Sequence, residues 1–196
     1  MNLPFVEYHF GTRDSKSPEG VVTVHQVHSA RVLTSCEAVG RPDADAMITN
    51  TPGVIIGVKT ADCVPVLLAD PVRRAVAAVH AGWRGTAASI AQAAIRRMAQ
   101  EYGTRPEDLH AMIGPSIGAC CYEVGPEVAS EFGIGAPGRV YLDLWQLNRR
   151  QLEAAGLNPA NIELVGECTR CDAERYHSYR RDGAAAGRLL SWIRIR

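Results

Sequence analysis

No stretch of this chain approaches the roughly 20 continuous apolar residues that a membrane-spanning helix needs. The opening Met1-Asn-Leu-Pro-Phe-Val-Glu-Tyr-His9 likewise lacks the basic segment and apolar core of a secretory signal, so a cytoplasmic protein with no membrane partner is expected. Neither sign of charge is in excess. Lys and Arg number 21 and Asp and Glu 21, which leaves no broad field to draw the chain onto nucleic acid or an anionic lipid surface. Any ligand must therefore be recognised locally. Cysteine is scarce for a disulfide scaffold: six in 196 residues, two of them adjacent at Cys120 and Cys121, point to reduced thiols. Repeats and low-complexity tracts are also absent. With 46% apolar and 21% charged residues, the chain reads as one domain over 1–196.

What is present is a succession of short β-branched runs punctuated by Gly and Pro. Val21–Val24, Ala46–Thr49, Val54–Val58, Val64–Leu68 and Ala75–Val79 read as strands, followed by Leu109–Ile113, Ile162–Val165 and Leu190–Ile195. Thr86 is placed to cap a helix through Gln100, whose Ile90, Ala94 and Met98 recur every fourth residue. Further helices are expected over Pro126–Phe132 and over Asp143–Ala155, the latter stopped by Gly156. Strands outnumber helices and the early ones follow one another through tight turns. The pattern indicates a mixed α+β layered arrangement rather than a doubly wound sheet.

Three residues at the ends of apolar runs carry chemical interest: His28 in His25-Gln-Val-His28, Cys63 in Thr60-Ala-Asp-Cys63, and His80 after Ala-Ala-Val79. Taken singly, a buried thiol or imidazole is as readily packing as function. Together they supply the ligand types that zinc or copper prefers, and three protein ligands with one open position is the pattern of a catalytic metal. The passage Val79-His-Ala-Gly-Trp-Arg-Gly-Thr86 adds a glycine-rich strand-to-helix turn. Its free N–H groups at Gly85 and the Arg84 fork suit an anion, although such a turn also opens many ordinary helices.

Two other constellations are weaker. Cys168-Thr-Arg-Cys171 has the spacing of half a zinc site, but no second CxxC or CxxH pair completes it, so the cysteines read as incidental. Gly114-Pro-Ser-Ile-Gly118 through Gly125 reads as a rigid loop, with Tyr122 offering a ring on which a planar ligand could stack.

Gln26-Val-His28, Asp43-Ala-Asp-Ala46, Thr60-Ala-Asp-Cys63, His80-Ala-Gly-Trp-Arg-Gly85, Gly114-Pro-Ser-Ile-Gly118, Tyr122-Glu-Val-Gly125, Ser178-Tyr-Arg-Arg-Asp182 and Gly187-Arg188 occur in the order found in one family. In this combination, from about Tyr8 to the C-terminus, the chain resembles the YfiH family, also called the polyphenol oxidase or laccase-domain family. The resemblance implies a four-layer α/β/β/α fold related to cysteine-dependent toxin deamidases. It also implies a metal, zinc or alternatively copper, held by His28, Cys63 and His80, the same residues being catalytic.

The activity implied is purine nucleoside phosphorolysis of adenosine, inosine and methylthioadenosine, with adenosine deamination beside it. Purine nucleoside and phosphate would be the partners, and Arg84, Gly85, Tyr122 and Arg13 their contacts. The alternatives are a metal-free Cys–His hydrolase or amidase, a copper-dependent polyphenol oxidase, and a metal-binding protein without catalysis. A multicopper oxidase needs many histidines, and six, with His9, His110 and His177 outside the motifs, are too few. One departure stands out: the region before Gln26-Val-His28 is shorter than the family's, with Gly11-Thr-Arg13 leading almost directly to the strand ahead of His28.

Overall fold

The computed structural model describes residues 3–135 and 137–196. In chain order its strands are β1 (Val6–His9), β2 (Val32–Thr34), β3 (Ala46–Thr49), β4 (Ile56–Thr60), β5 (Val64–Asp70), β6 (Ala75–Ala81), β7 (His110–Ile113), β8 (Glu123–Val124), β9 (Val140–Tyr141), β10 (Ile162–Leu164) and β11 (Leu189–Ile195). Its α-helices are α1 (Trp83–Ala87), α2 (Ile90–Tyr102), α3 (Pro126–Ser130), α4 (Leu144–Ala154) and α5 (Tyr179–Asp182). A six-stranded mixed sheet runs β10-β7-β5-β6-β3-β2, a three-stranded antiparallel sheet runs β1-β11-β4, and β8 and β9 form a small ribbon. Among the described residues no helix is long and apolar enough to cross a membrane.

The centre of the molecule follows from the continuous apolar runs at β5 and β6, which are buried over their whole length. Successive side chains of a strand point to opposite faces, so an all-apolar strand can serve two cores at once. Val64, Val66, Leu68, Ala77 and Val79 pack with Ile90, Ala94, Ile95 and Met98 of α2 and with Leu144 and Leu152 of α4. The other parity, Leu67, Ala69, Val76 and Ala78 with Met47, meets Val6, Ile56, Val58, Ile193 and Ile195 of the three-stranded sheet. Helices, the large sheet and the small sheet thus form consecutive layers.

The α+β class with mixed sheets is as expected, and several boundaries differ. Val21–Val24 is not a strand but contributes one isolated bridge, Val22 to Ile56, while β1 and β2 are too short to stand out as periodic runs. The helix expected from Thr86 is two helices, broken at Ser89, whose φ of 58° is left-handed. The two helices longer than two turns, α2 and α4, both lie on the six-stranded sheet. Between β1 and β2 the chain forms no helix.

Candidate functional site

Strand pairing brings the three candidate ligands together. β5 and β6 are antiparallel with Pro65 opposite His80, so Cys63, just before β5, lies beside the end of β6 that carries His80. β3 pairs antiparallel with the other edge of β6, Ala46 opposite Val79, which sets Asp45 next to His80. His28 comes from the loop before β2 in a left-handed turn, φ 61°. The ligand atoms of His28, Cys63 and His80 lie within 4.8 Å of one another, and the two imidazole rings are 4.8 Å apart between centroids. Gly82 closes the approach: a Cβ there would stand 2.8 Å from His28 Nδ1 and 2.9 Å from Cys63 Sγ.

A carboxylate that spacing did not single out organises this group. Asp45 is completely buried, and its Oδ1 accepts from His80 Nδ1 at 2.7 Å and from the His28 amide at 2.9 Å. Its Oδ2 accepts from the amides of Val27 and Ser29 and from the Ser29 hydroxyl. Burial alone would raise the Asp45 pKa, but the hydrogen bonds from His80 and Ser29 outweigh it and bring it to about 2. Asp45 is therefore an anion that fixes the proton of His80 on Nδ1 and leaves Nε2 for the site.

Burial would lower the His80 pKa, yet its hydrogen bonds to Asp45 and Cys63 raise it to about 9. Burial would raise the Cys63 thiol, yet hydrogen bonds with His28 and His80 bring it down to about 6. One thiolate-forming cysteine and two imidazoles, one of them oriented by a carboxylate, make a donor set that fits zinc or copper.

A second carboxylate, Asp62, holds the opposite wall. It is itself in a left-handed conformation, φ 82°. It accepts from the hydroxyls of Thr169 and Ser178 and from the amide of Arg180, drawing the C-terminal segment that holds α5 against the Cys63 turn. Arg180 in turn places its guanidinium 5.0 Å over the Tyr122 ring and donates to the Glu123 carbonyl at 2.7 Å. Burial first, and then the charge of Cys63, push the Tyr122 phenol up to about 12, so it stays protonated.

Around these residues lies a cavity of about 600 Å³ lined by His28, Cys63, His80, Asp62, Trp83, Ile117 and Tyr122 together with Gln26, Arg41, Lys59, Tyr179, Arg180 and Arg188. Its four cations were not reached by spacing; Arg180 and Arg188 sit 100 and 108 residues beyond His80 in sequence. The only signal for them was their membership of the Ser178–Asp182 and Gly187-Arg188 motifs.

Within the turn expected to bind an anion, His80 and Trp83 line this cavity and Arg84 and Gly85 do not. With the helix broken at Ser89, α1 has only five residues, and Arg84 is exposed with its guanidinium stacked 4.2 Å from the Trp83 ring. Gly85 is packed against Ile90 and the carbonyls of His80 and Ser29, where it serves close packing. Arg13 is likewise away from the cavity wall: it donates to the Tyr176 carbonyl and pairs with Asp182 at 3.5 Å. Tyr122 does line the cavity.

A family model described as multi-copper polyphenol oxidoreductase laccase matches residues 10–196. A protein of Bacteroides thetaiotaomicron named purine nucleoside phosphorylase is 39% identical over 203 residues, covering 92% of this chain and 75% of the relative. A protein from an unknown prokaryotic organism named adenosine deaminase RL5 is 36% identical over 197 residues, covering 89% of this chain and 75% of the relative. The crystal structure of the Bacillus licheniformis hypothetical protein YfiH matches with a TM-score of 0.84 at 32% identity, covering 90% of this chain and 74% of that one. With the family's motifs gathered around one cavity on the same fold, the chain belongs to the YfiH family of laccase-like polyphenol oxidoreductases.

Proposed function

We propose that this chain is an enzyme of nucleoside processing, a purine nucleoside phosphorylase for adenosine, inosine and methylthioadenosine, with adenosine deamination at the same site. The names of its relatives support the class. The observation that carries the reading is the cavity itself, which joins a Cys–His–His group to a set of cations within a volume suited to a nucleoside and an anion. Phosphorolysis forms a bond from a phosphate oxygen to the ribose C1′ while the bond from C1′ to the purine nitrogen breaks, its electron pair leaving with the base. Arg180, Arg188, Lys59 and Arg41 supply the positive charge that holds phosphate and steadies the charge developing in that transition state. This duty passes to them from the Arg84 turn. Tyr122, backed by Arg180, offers a ring for the base.

His28, Cys63 and His80 would hold the metal, with Asp45 orienting His80. When bound, zinc, or copper in its place, supplies Lewis-acid polarisation and water activation near neutral pH, the chemistry deamination of adenosine requires. A second reading is favoured by one observation: His80 stands between Cys63 and Asp45, the order of groups in a thiol hydrolase that works without metal.

Incubation with each nucleoside, with and without phosphate, separates these readings. Phosphorolysis yields free base and ribose 1-phosphate only when phosphate is present. Base release indifferent to phosphate would exclude it, and amidase activity that survives complete metal removal would favour the thiol hydrolase.

A further inference from the structure

Four of the six cysteines meet at one place in the fold. The Cys168-Thr-Arg-Cys171 pair, incomplete in sequence, meets Cys120 and Cys121 from a turn some fifty residues earlier. The four Sγ atoms lie within 4.8 Å of one another, with Cys120 to Cys171 at 3.7 Å and Cys121 to Cys171 at 3.3 Å. All four are free thiols. We propose that Cys120, Cys121, Cys168 and Cys171 form a second metal site, a closed tetrathiolate centre for zinc, separate from the His28–Cys63–His80 group.

The geometry suits that ion. Zinc binds thiolate sulfur at about 2.3 Å, so a regular tetrahedron sets its sulfurs about 3.8 Å apart, within the range spanned here. The ligands also have supporting donors: the Gly118 amide donates to Cys168 Sγ at 3.3 Å, and Arg170 Nη1 to Cys121 Sγ at 3.4 Å. Binding replaces four S–H protons, which pass to solvent, by four Zn–S bonds. The centre carries two net negative charges, and the Arg170 guanidinium offsets part of them. With all four positions filled by sulfur, the ion has no place for substrate and acts as a structural clamp.

What it would clamp is the cavity wall. The two loops it joins already touch through a bridge between Ser116 and Cys168, with the Ser116 amide donating to the Glu167 carbonyl and the Thr169 amide to the Ser116 carbonyl. One loop carries Tyr122 into the cavity. The other carries Thr169, whose hydroxyl holds Asp62 at 2.7 Å. A zinc ion here fixes both residues without touching substrate.

The test is metal content of the full-length protein, expressed with zinc and purified under reducing conditions. One zinc should persist in His28→Ala/His80→Ala, and that zinc should disappear from the same variant when Cys168→Ser and Cys171→Ser are added. In the otherwise native chain, Cys168→Ser/Cys171→Ser should release one equivalent. Cobalt(II) loaded into the histidine variant should show the intense sulfur-to-cobalt charge-transfer absorption of a tetrathiolate. Should the double serine variant fail to fold, Cys120→Ser alone should speed release of that zinc to a chelator. Zinc content unchanged by the cysteine substitutions would overturn the proposal, as would two thiols fewer than six in a denaturing titration without reductant, which marks a disulfide. Because the readout is the zinc left after the histidines are removed, its failure is distinct from failure of the phosphorylase reading.

Discussion

Replacing Asp45 with Asn tests whether the buried carboxylate sets up the Cys–His–His group or only ties a loop. The amide keeps the volume and removes the charge. If its oxygen takes the place of Oδ2, it still accepts from Val27, Ser29 N and Ser29 Oγ, but its NH₂ then faces the His28 amide and His80 Nδ1. Two donors collide with the His28 amide unpaired, and His80 must move its proton to Nε2, where it blocks the lone pair offered to a metal. The opposite rotamer sets NH₂ against the Val27 and Ser29 amides and is worse. Hydrogen bonds to a charged acceptor contribute about 1.5–3 kcal/mol each, so loss of the His28 and His80 bonds should cost the fold about 3 kcal/mol or more.

Loss of a carboxylate that orients a ligating histidine typically lowers metal affinity about 10–100-fold. Urea denaturation and competition against a chromogenic chelator measure the two effects. Ser29→Ala serves as the control: it removes one donor, at 2.8 Å, and leaves the Asp45 charge in place. It should cost about 1 kcal/mol with metal affinity intact. If Asp45→Asn lowers stability while affinity and turnover stay those of the parent, Asp45 does not control the His80 tautomer and the reasoning fails.

Gly82→Ala should abolish metal binding and turnover with little loss of fold stability. The glycine's φ of −68° suits alanine, and the damage comes from the 2.8 and 2.9 Å contacts with His28 and Cys63; a variant that retains full metal occupancy contradicts this. Ser89→Gly should raise the urea midpoint by up to about 1 kcal/mol of stability, since Ser89 is left-handed and its side chain makes no capping hydrogen bond; a lowered midpoint counts against strain at the helix break. Removing metal with a chelator should leave the amides of His28 and Ser29 slow in hydrogen exchange, because Asp45 holds them; rapid exchange of both on removal would show that metal, not the carboxylate, orders the turn.

The legible parts of the protein were those where a residue's chemistry and its local pattern coincide. β5 and β6 could be read from continuous apolar runs, and Cys63 and His80 from reactive groups at the margins of those runs. Asp45 and Asp62 could not, because an acid becomes an organiser only when folding delivers donors to it, from 16–35 residues away for the Asp45 partners Ser29 and His80 and from 107–118 for the Asp62 partners Thr169 and Arg180. The same reason hid Arg180, Arg188 and the meeting of Cys120 and Cys121 with Cys168 and Cys171. Arg84 shows the converse. Turn chemistry set the helix start at a Thr86 cap, whereas α1 begins at Trp83 after Gly82, and nothing local reveals that the helix breaks at Ser89 and that the Arg84 side chain lies over Trp83.

The two carboxylates also account for how the reactive group keeps its shape. His28 and Asp62 both have positive φ, a conformation that costs a non-glycine residue about 1 kcal/mol or more. Each strained residue is held by several hydrogen bonds: the His28 turn by three amides and a hydroxyl directed to Asp45, the Asp62 turn by two hydroxyls and an amide directed to its own side chain. At about 1–3 kcal/mol for each bond to a buried charge, these networks exceed the strain they oppose. Both rest on the rigid ends of β3, β5 and β6 rather than on a bound ion. The ligand atoms of His28, Cys63 and His80 are thus gathered before any metal arrives, and little binding energy must be spent on ordering them.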